Sequence, residues 1–140
     1  MPKVVLLLFL LLTACGSVPM APTAEDAAGK AFSPPPAGSA ALYIYRDDTV
    51  GGLRTVDFTA GQRALGSLAW GTWLRVDLPP GGYDVRCKFE DTTSLPVTLA
   101  PGEIRYLTIY FTFRKCNLKE ADAAVARPAI LAGQRAAEVR

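Results

Sequence analysis

The stretch "WLRVDLPPGGYDVRCKF" (73–89) limits the fold more than any other part of the chain. Apolar and polar residues alternate on both sides of a Pro-Pro-Gly-Gly break. A period of two is the pattern of a strand that buries one face. Leu74, Val76 and Leu78 share one face of the first arm, and Trp73, Arg75 and Asp77 share the other. Tyr83, Val85, Cys87 and Phe89 share a face of the second arm. Proline fixes φ and glycine supplies positive φ, so residues 79–82 read as a turn. The short connection argues for antiparallel neighbours, and one register to consider sets Leu78 opposite Tyr83. In that register Asp77 and Arg86, and Arg75 and Asp84, are diagonal neighbours whose exposed ion pairs add only a fraction of a kcal/mol.

The alternation recurs in "AALYIYR" (40–46), "LRTVDFT" (53–59), "RALGSL" (63–68), "SLPVTLA" (94–100) and "IRYLTIYFTF" (104–113). Short strands with turns every roughly 8–12 residues argue for a sandwich or barrel. The expected fold is mainly β: a single antiparallel β-sandwich of about seven strands over residues 40–135, with a short C-terminal helical tail. "EADAAVA" (120–126) supplies one or two helical turns, and Pro128 ends them or begins another.

Composition excludes several kinds of chemistry. The chain has no histidine among its 140 residues, so Ser–His–Asp and Cys–His catalysis are closed to it. Three cysteines without CxxC spacing cannot make an all-cysteine tetrahedral zinc site in one chain. Neither a metal nor a cofactor is expected. The net charge is only +2 and the arginines are scattered, so no nucleic-acid surface is expected. Asp47 and Asp48, and Glu90 and Asp91, are adjacent acids in predicted loops or at strand ends. Neighbouring strand residues point to opposite faces, so such pairs make poor acid/base sites. No catalytic residue is assigned, and the chain is read as a non-enzyme.

Lys3 precedes an apolar run of nine residues, Val4–Leu12. A bilayer span needs about 20 apolar residues, whereas a secretory h-region needs roughly 7–15. Leu12-Thr13-Ala14-Cys15 resembles a bacterial lipobox. That resemblance implies cleavage between Ala14 and Cys15, with a diacylglyceryl group on the Cys15 sulfur and an acyl group on the new amine. The alternative is an ordinary signal peptide with Cys15 incidental. Gly16 after the cysteine is similar to sequences sorted to the outer membrane, so the expected place is the bacterial envelope, facing the periplasm. Residues 15–39, "CGSVPMAPTAEDAAGKAFSPPPAGS", show no apolar periodicity and are rich in Pro, Ala and Gly. They read as the lipidated cysteine and a tether, with an end-to-end distance of roughly 25–30 Å.

"ALYIYR", "LGSL", "VDLPPGGYDVRCKF" and "TLAPGEIRYLTIYF", with a small-residue helical tail, cover residues 41 to about 135. Together they resemble an uncharacterised bacterial lipoprotein family, domain of unknown function 2846. "LPPGGYDV" is also similar to a step in transthyretin-like and carboxypeptidase-regulatory-like sandwiches. The resemblance implies a small anchored sandwich and brings no catalytic motif. "TAGQRALG" departs from it, lacking the Asn-Gly expected of such hairpins.

With Cys15 lipidated, Cys87 and Cys116 remain as an even pair. In an oxidising compartment they are a candidate disulfide; the alternative is one buried and one surface thiol. Extending the inward face of the last long strand by twos reaches Lys115 rather than Cys116, so that strand must end or bulge first. The chain is therefore read as a tethered interaction or structural module. Its expected partners are the bilayer, through acylated Cys15, and another envelope protein or cell-wall component. A glycan- or peptidoglycan-binding module is the alternative. It would stack sugars on Trp70 and Trp73, with Tyr43, Tyr45, Tyr106 and Tyr110, although buried aromatics would serve equally as core.

Overall fold

The computed structural model describes residues 18–48, 52 and 54–140. All seven expected strands are present, with ends shifted by a few residues at most: β1 (Ala40–Arg46), β2 (Val56–Ala60), β3 (Arg63–Leu68), β4 (Thr72–Leu78), β5 (Gly81–Lys88), β6 (Thr92–Leu99) and β7 (Ile104–Thr112). Two more, β8 (Lys115–Ala121) and β9 (Gln134–Arg135), bring the number among the described residues to nine. They form a five-stranded sheet, β8-β7-β1-β4-β9, and a four-stranded sheet, β3-β2-β5-β6. The protein is thus mainly β and sandwich-like, with a C-terminal helix.

The alternating aliphatic faces meet between the sheets. Leu42, Ile44, Leu74, Val76 and Leu107 from one sheet share a core with Val56, Phe58, Val85, Val97 and Leu99 from the other. Burying side chains of this size contributes about 1.5–3 kcal/mol each, before ordering entropy is subtracted. The period of two reads these faces correctly because each strand of the four-stranded sheet has one side free of this core.

Pairing departs from the sequence-based expectation. The sheet is not purely antiparallel: β1 pairs β7 in parallel, and β4 pairs β9 in parallel. Turn spacing speaks only for strands adjacent in the chain, whereas β1 and β7 meet after the chain has crossed to the second sheet and back. Nor do the two arms around 79–82 pair with each other. Leu78 lies opposite Ala40, while β5 pairs β2 and β6. Pro79 and Pro80 have no N–H to give a ladder, so the chain changes sheets there. Asp77 and Asp84 then meet arginines on their own strands, Arg75 at 3.4 Å and Arg86 at 3.1 Å.

β7 ends at Thr112 and turns through Phe113, which sits at φ 46°. The return strand β8 puts Cys116 opposite Phe111, which resolves why stepping by twos along β7 reaches Lys115. The described residues also form two helices, α1 (Thr23–Gly29) and α2 (Ala123–Ala132). α2 runs later and longer than 120–126 and carries Pro128 within it.

The largest departure concerns the expected tether. Residues 18–39 pack on the domain. Val18 is buried in the inter-sheet core. The Ala137 amide donates to the Pro19 carbonyl (2.8 Å), Met20 bridges Ala136, and the Ala21 amide donates to the Arg135 carbonyl (3.0 Å). α1 then lies against Trp73, and Phe32 packs on Tyr43 and Tyr106 with ring centroids 5.6 Å and 6.4 Å away. The composition argument fails here because this segment needs no core of its own. It adds one valine, one phenylalanine and a set of backbone hydrogen bonds to a surface that already exists. Gly29 makes the approach: a Cβ there would stand 2.4 Å from the Trp73 ring.

Candidate functional site

β1 is buried along its whole length because both faces of the five-stranded sheet are covered. Leu42 and Ile44 face the other sheet. Tyr43 and Tyr45 join Trp73, Tyr106, Ala126 and Ile130 in a second core beneath the helices. The Tyr43 and Tyr106 rings stack 5.3 Å apart. The Tyr43 hydroxyl donates to the Gly29 carbonyl (2.8 Å) and accepts from Arg75 Nη1 (2.9 Å). Burial raises the Tyr43 pKa above its ordinary value, with Arg75 opposing. Arg135 clamps α1 from the other side. Its guanidinium donates to the carbonyls of Glu25 (2.9 Å) and Arg75 (3.1 Å), and its backbone amide donates to Asp26 Oδ1 (2.7 Å). Burial pushes the Asp26 pKa up, but the Lys30 ammonium and the Arg135 amide outweigh it, and the net shift is downward.

This arrangement decides the aromatic platform. Trp70 is 57% exposed, whereas Trp73 is 1% exposed and lies under α1. The two indoles are therefore not exposed together. Tyr43, Tyr45 and Tyr106 are buried, leaving Tyr110 as the exposed tyrosine of the expected set. "Outward" in the alternation is correct for Trp73, but outward here means beneath a helix rather than in solvent.

Cys87 on β5 and Cys116 on β8 are joined by a disulfide, Cα atoms 6.1 Å apart. It ties one sheet to the other inside the core. Close by, Glu90 joins Arg54 (2.7 Å) and Arg114 (2.8 Å). Those hydrogen bonds, Arg54 first, hold its pKa below the usual carboxylate value. The Arg54 guanidinium lies 4.2 Å from the Phe89 ring centroid, and Arg46 lies 5.1 Å from that of Phe111. Arg46 is itself buried at the end of β1 and donates to the Arg54 carbonyl (2.6 Å). These contacts close one end of the sandwich.

A cleft of about 450 Å³ lies between β7, β8, the loop after β1 and the start of α2. Asp47, Asp48, Glu120 and Asp122 line it with Lys119, Tyr45 and Tyr110. Lys119 lies 5.7 Å from the Tyr110 ring centroid, and Glu120 is held by Arg105 at 2.6 Å. Asp47 and Asp48 stand out in the sequence but Glu120 and Asp122 do not; they reach the cleft from the end of the unexpected β8 and from the N-cap of α2. Among the described residues, no group of three or more His, Cys, Asp or Glu side chains could hold a metal ion. No helix among them is long and apolar enough to cross a membrane. Ala14 and Cys15 lie outside the described residues.

The fold and its contacts define a mainly β, disulfide-linked two-sheet protein. No family model matches the chain, and no solved structure matches it. It is 30% identical over 105 residues to an uncharacterised protein of Haemophilus influenzae, an alignment spanning 74% of this chain and 62% of the other. The chain therefore aligns with less than two thirds of that relative's length.

Proposed function

We propose that this protein is a non-enzymatic lipoprotein of the bacterial envelope, anchored by acylation of Cys15, of the kind that domain of unknown function 2846 resembles. The observation that carries the reading is the cysteine count set against the disulfide. Cys87 and Cys116 pair with each other, which leaves Cys15, behind its Leu-Thr-Ala sequence, as the third. A disulfide suits an exported chain, since cytosolic thiols are kept reduced. Acylation with more than one chain gives stable membrane attachment, each buried methylene adding about 0.8 kcal/mol. The anchored domain works as an interaction or structural module toward another envelope protein or the cell wall, on the periplasmic side of the outer membrane. With Trp73 buried, the paired-indole sugar platform has no geometry to support it.

The test is intact mass and N-terminal sequence of the chain expressed with its own leader in a diderm bacterium. The expected product begins at Cys15 and carries diacylglyceryl plus an amide-linked acyl chain. Cys15→Ser should leave an unlipidated precursor. A mature chain that begins elsewhere, without lipid, would overturn the anchor.

A further inference from the structure

Val18 is the first described residue, and residue 15 is where the lipid would be. Val18 is buried in the inter-sheet core, and Pro19, Met20 and Ala21 are held by Ala137, Ala136 and Arg135. Only Gly16 and Ser17 separate Cys15 from that fixed point. Three residue steps reach at most roughly 10 Å even when fully extended. A coil of 24 residues would have allowed a stand-off of roughly 25–30 Å. Packing of residues 18–39 removes that freedom.

We infer that the domain lies directly against the leaflet holding its acyl chains, with the β9 edge of the five-stranded sheet facing the lipid. This rests on the anchor reading above and adds a surface and an orientation to it. The bridge from Met20 to Ala136 makes the N-terminal segment the outermost element at that edge. The surface chemistry there suits the interfacial zone of a bilayer. Met20 and Val139 are exposed apolar side chains, 43% and 49% accessible. Arg63 and Arg140 rim them, each already engaged by a carboxylate: Arg63 by Glu138 at 2.8 Å and Arg140 by Glu25 at 3.2 Å. Long arginine side chains with apolar stems sit readily at headgroup level. The Val139 amide donates to the Leu65 carbonyl (2.9 Å), which holds the C-terminal part of the patch in place. The β7–β8 hairpin, with its 97% exposed Phe113, lies at the opposite edge of the same sheet.

The experiment uses the full lipidated chain, purified from membranes and placed in phosphatidylethanolamine–phosphatidylglycerol vesicles containing lipids brominated high on the acyl chain. Trp70→Phe removes the exposed native indole, and buried Trp73 gives a constant background. Met20→Trp and, separately, Phe113→Trp then report from the two edges. The Met20→Trp reporter is expected to be quenched at least about twofold more than the Phe113→Trp reporter, because interfacial side chains penetrate only the headgroup and upper acyl region. Inserting about 20 Gly/Ser residues between Ser17 and Val18 restores a long tether and should bring the two reporters level. Equal quenching in the uninserted chain, with acylation verified by mass, would overturn the orientation while leaving the anchor intact. Strong Met20→Trp quenching that survives the insertion would overturn the short leash as its cause. A Cys15 without lipid would overturn the anchor, and this inference with it.

Discussion

At β1 and β4 the two faces of the five-stranded sheet are both buried, but by different means. The inner face is aliphatic, meets a second sheet, and is locked by Cys87–Cys116. The outer face is aromatic and partly charged. Tyr43, Trp73 and Tyr106 are covered by α1, α2 and Phe32, with Arg75 and Arg135 satisfying hydroxyl and carbonyl groups among them. The inner core is built from strands that already need one another. The outer core is built by elements that have no fold of their own and gain one by docking. That difference teaches that residues 18–39 are part of the domain rather than a lead-in to it.

The most severe way to break the comparison is to remove the largest fully buried apolar side chain from each core. Phe58→Ala empties the inner core and Trp73→Ala the outer one. If the outer face is a true core, each should cost about 3–5 kcal/mol in denaturant unfolding. A Trp73→Ala cost of under about 1 kcal/mol, the range of ordinary surface changes, would reduce α1 to a loose cover. A smaller effect tests the clamp on the inner face alone. Replacing Cys87 and Cys116 together by alanine reopens a loop of 29 residues' separation, expected to cost about 3.5 kcal/mol in the chain-entropy model. The Trp73 fluorescence maximum should stay that of a buried indole, because the disulfide does not touch the outer face.

The smallest effect is the most specific to the N-terminal segment. Asp26 accepts from the Arg135 amide and pairs with Lys30 at 2.9 Å. Its folded pKa lies below the ordinary aspartate value. Its contribution is therefore complete above about pH 4, the unfolded range, and is lost as pH falls through the folded value. Asp26→Asn should lower stability at neutral pH by about 1 kcal/mol and flatten the acid limb of the stability curve. An unchanged acid limb would mean that the Asp26 contacts do not hold α1 in solution.

The strands of the inner core were legible because a half-buried strand writes its burial directly into alternating residues. The cysteine pair was legible from parity and compartment. β8 was not: Cys116 and Leu118 alternate as a strand should, but Lys115 breaks the apolar pattern before them and Glu120 falls in the stretch 120–126 that reads as helical. Parallel pairing of β1 with β7 leaves no local trace, since the two are joined by no turn. Docking of residues 18–39 was hidden because its key residue, Gly29, acts through the side chain it lacks. In any composition count that glycine is a mark of flexibility. The acidic cleft was half legible for a related reason, since Glu120 belongs to the end of β8 and Asp122 is the N-cap of α2 that follows it. The paired-indole idea failed because alternation assigns faces, not what later covers them.

Whether residues 18–39 are folded decides both the second core and the short leash. Backbone hydrogen exchange on the mature chain tests it directly, followed at Ala21, Lys30 and Phe32, whose amides are bonded to Arg135, Asp26 and Gly29. The account predicts that these amides are slowed by about a hundredfold or more and exchange in the same cooperative opening as β9. Exchange at the rate of an unstructured chain, with β1 still protected, would contradict it.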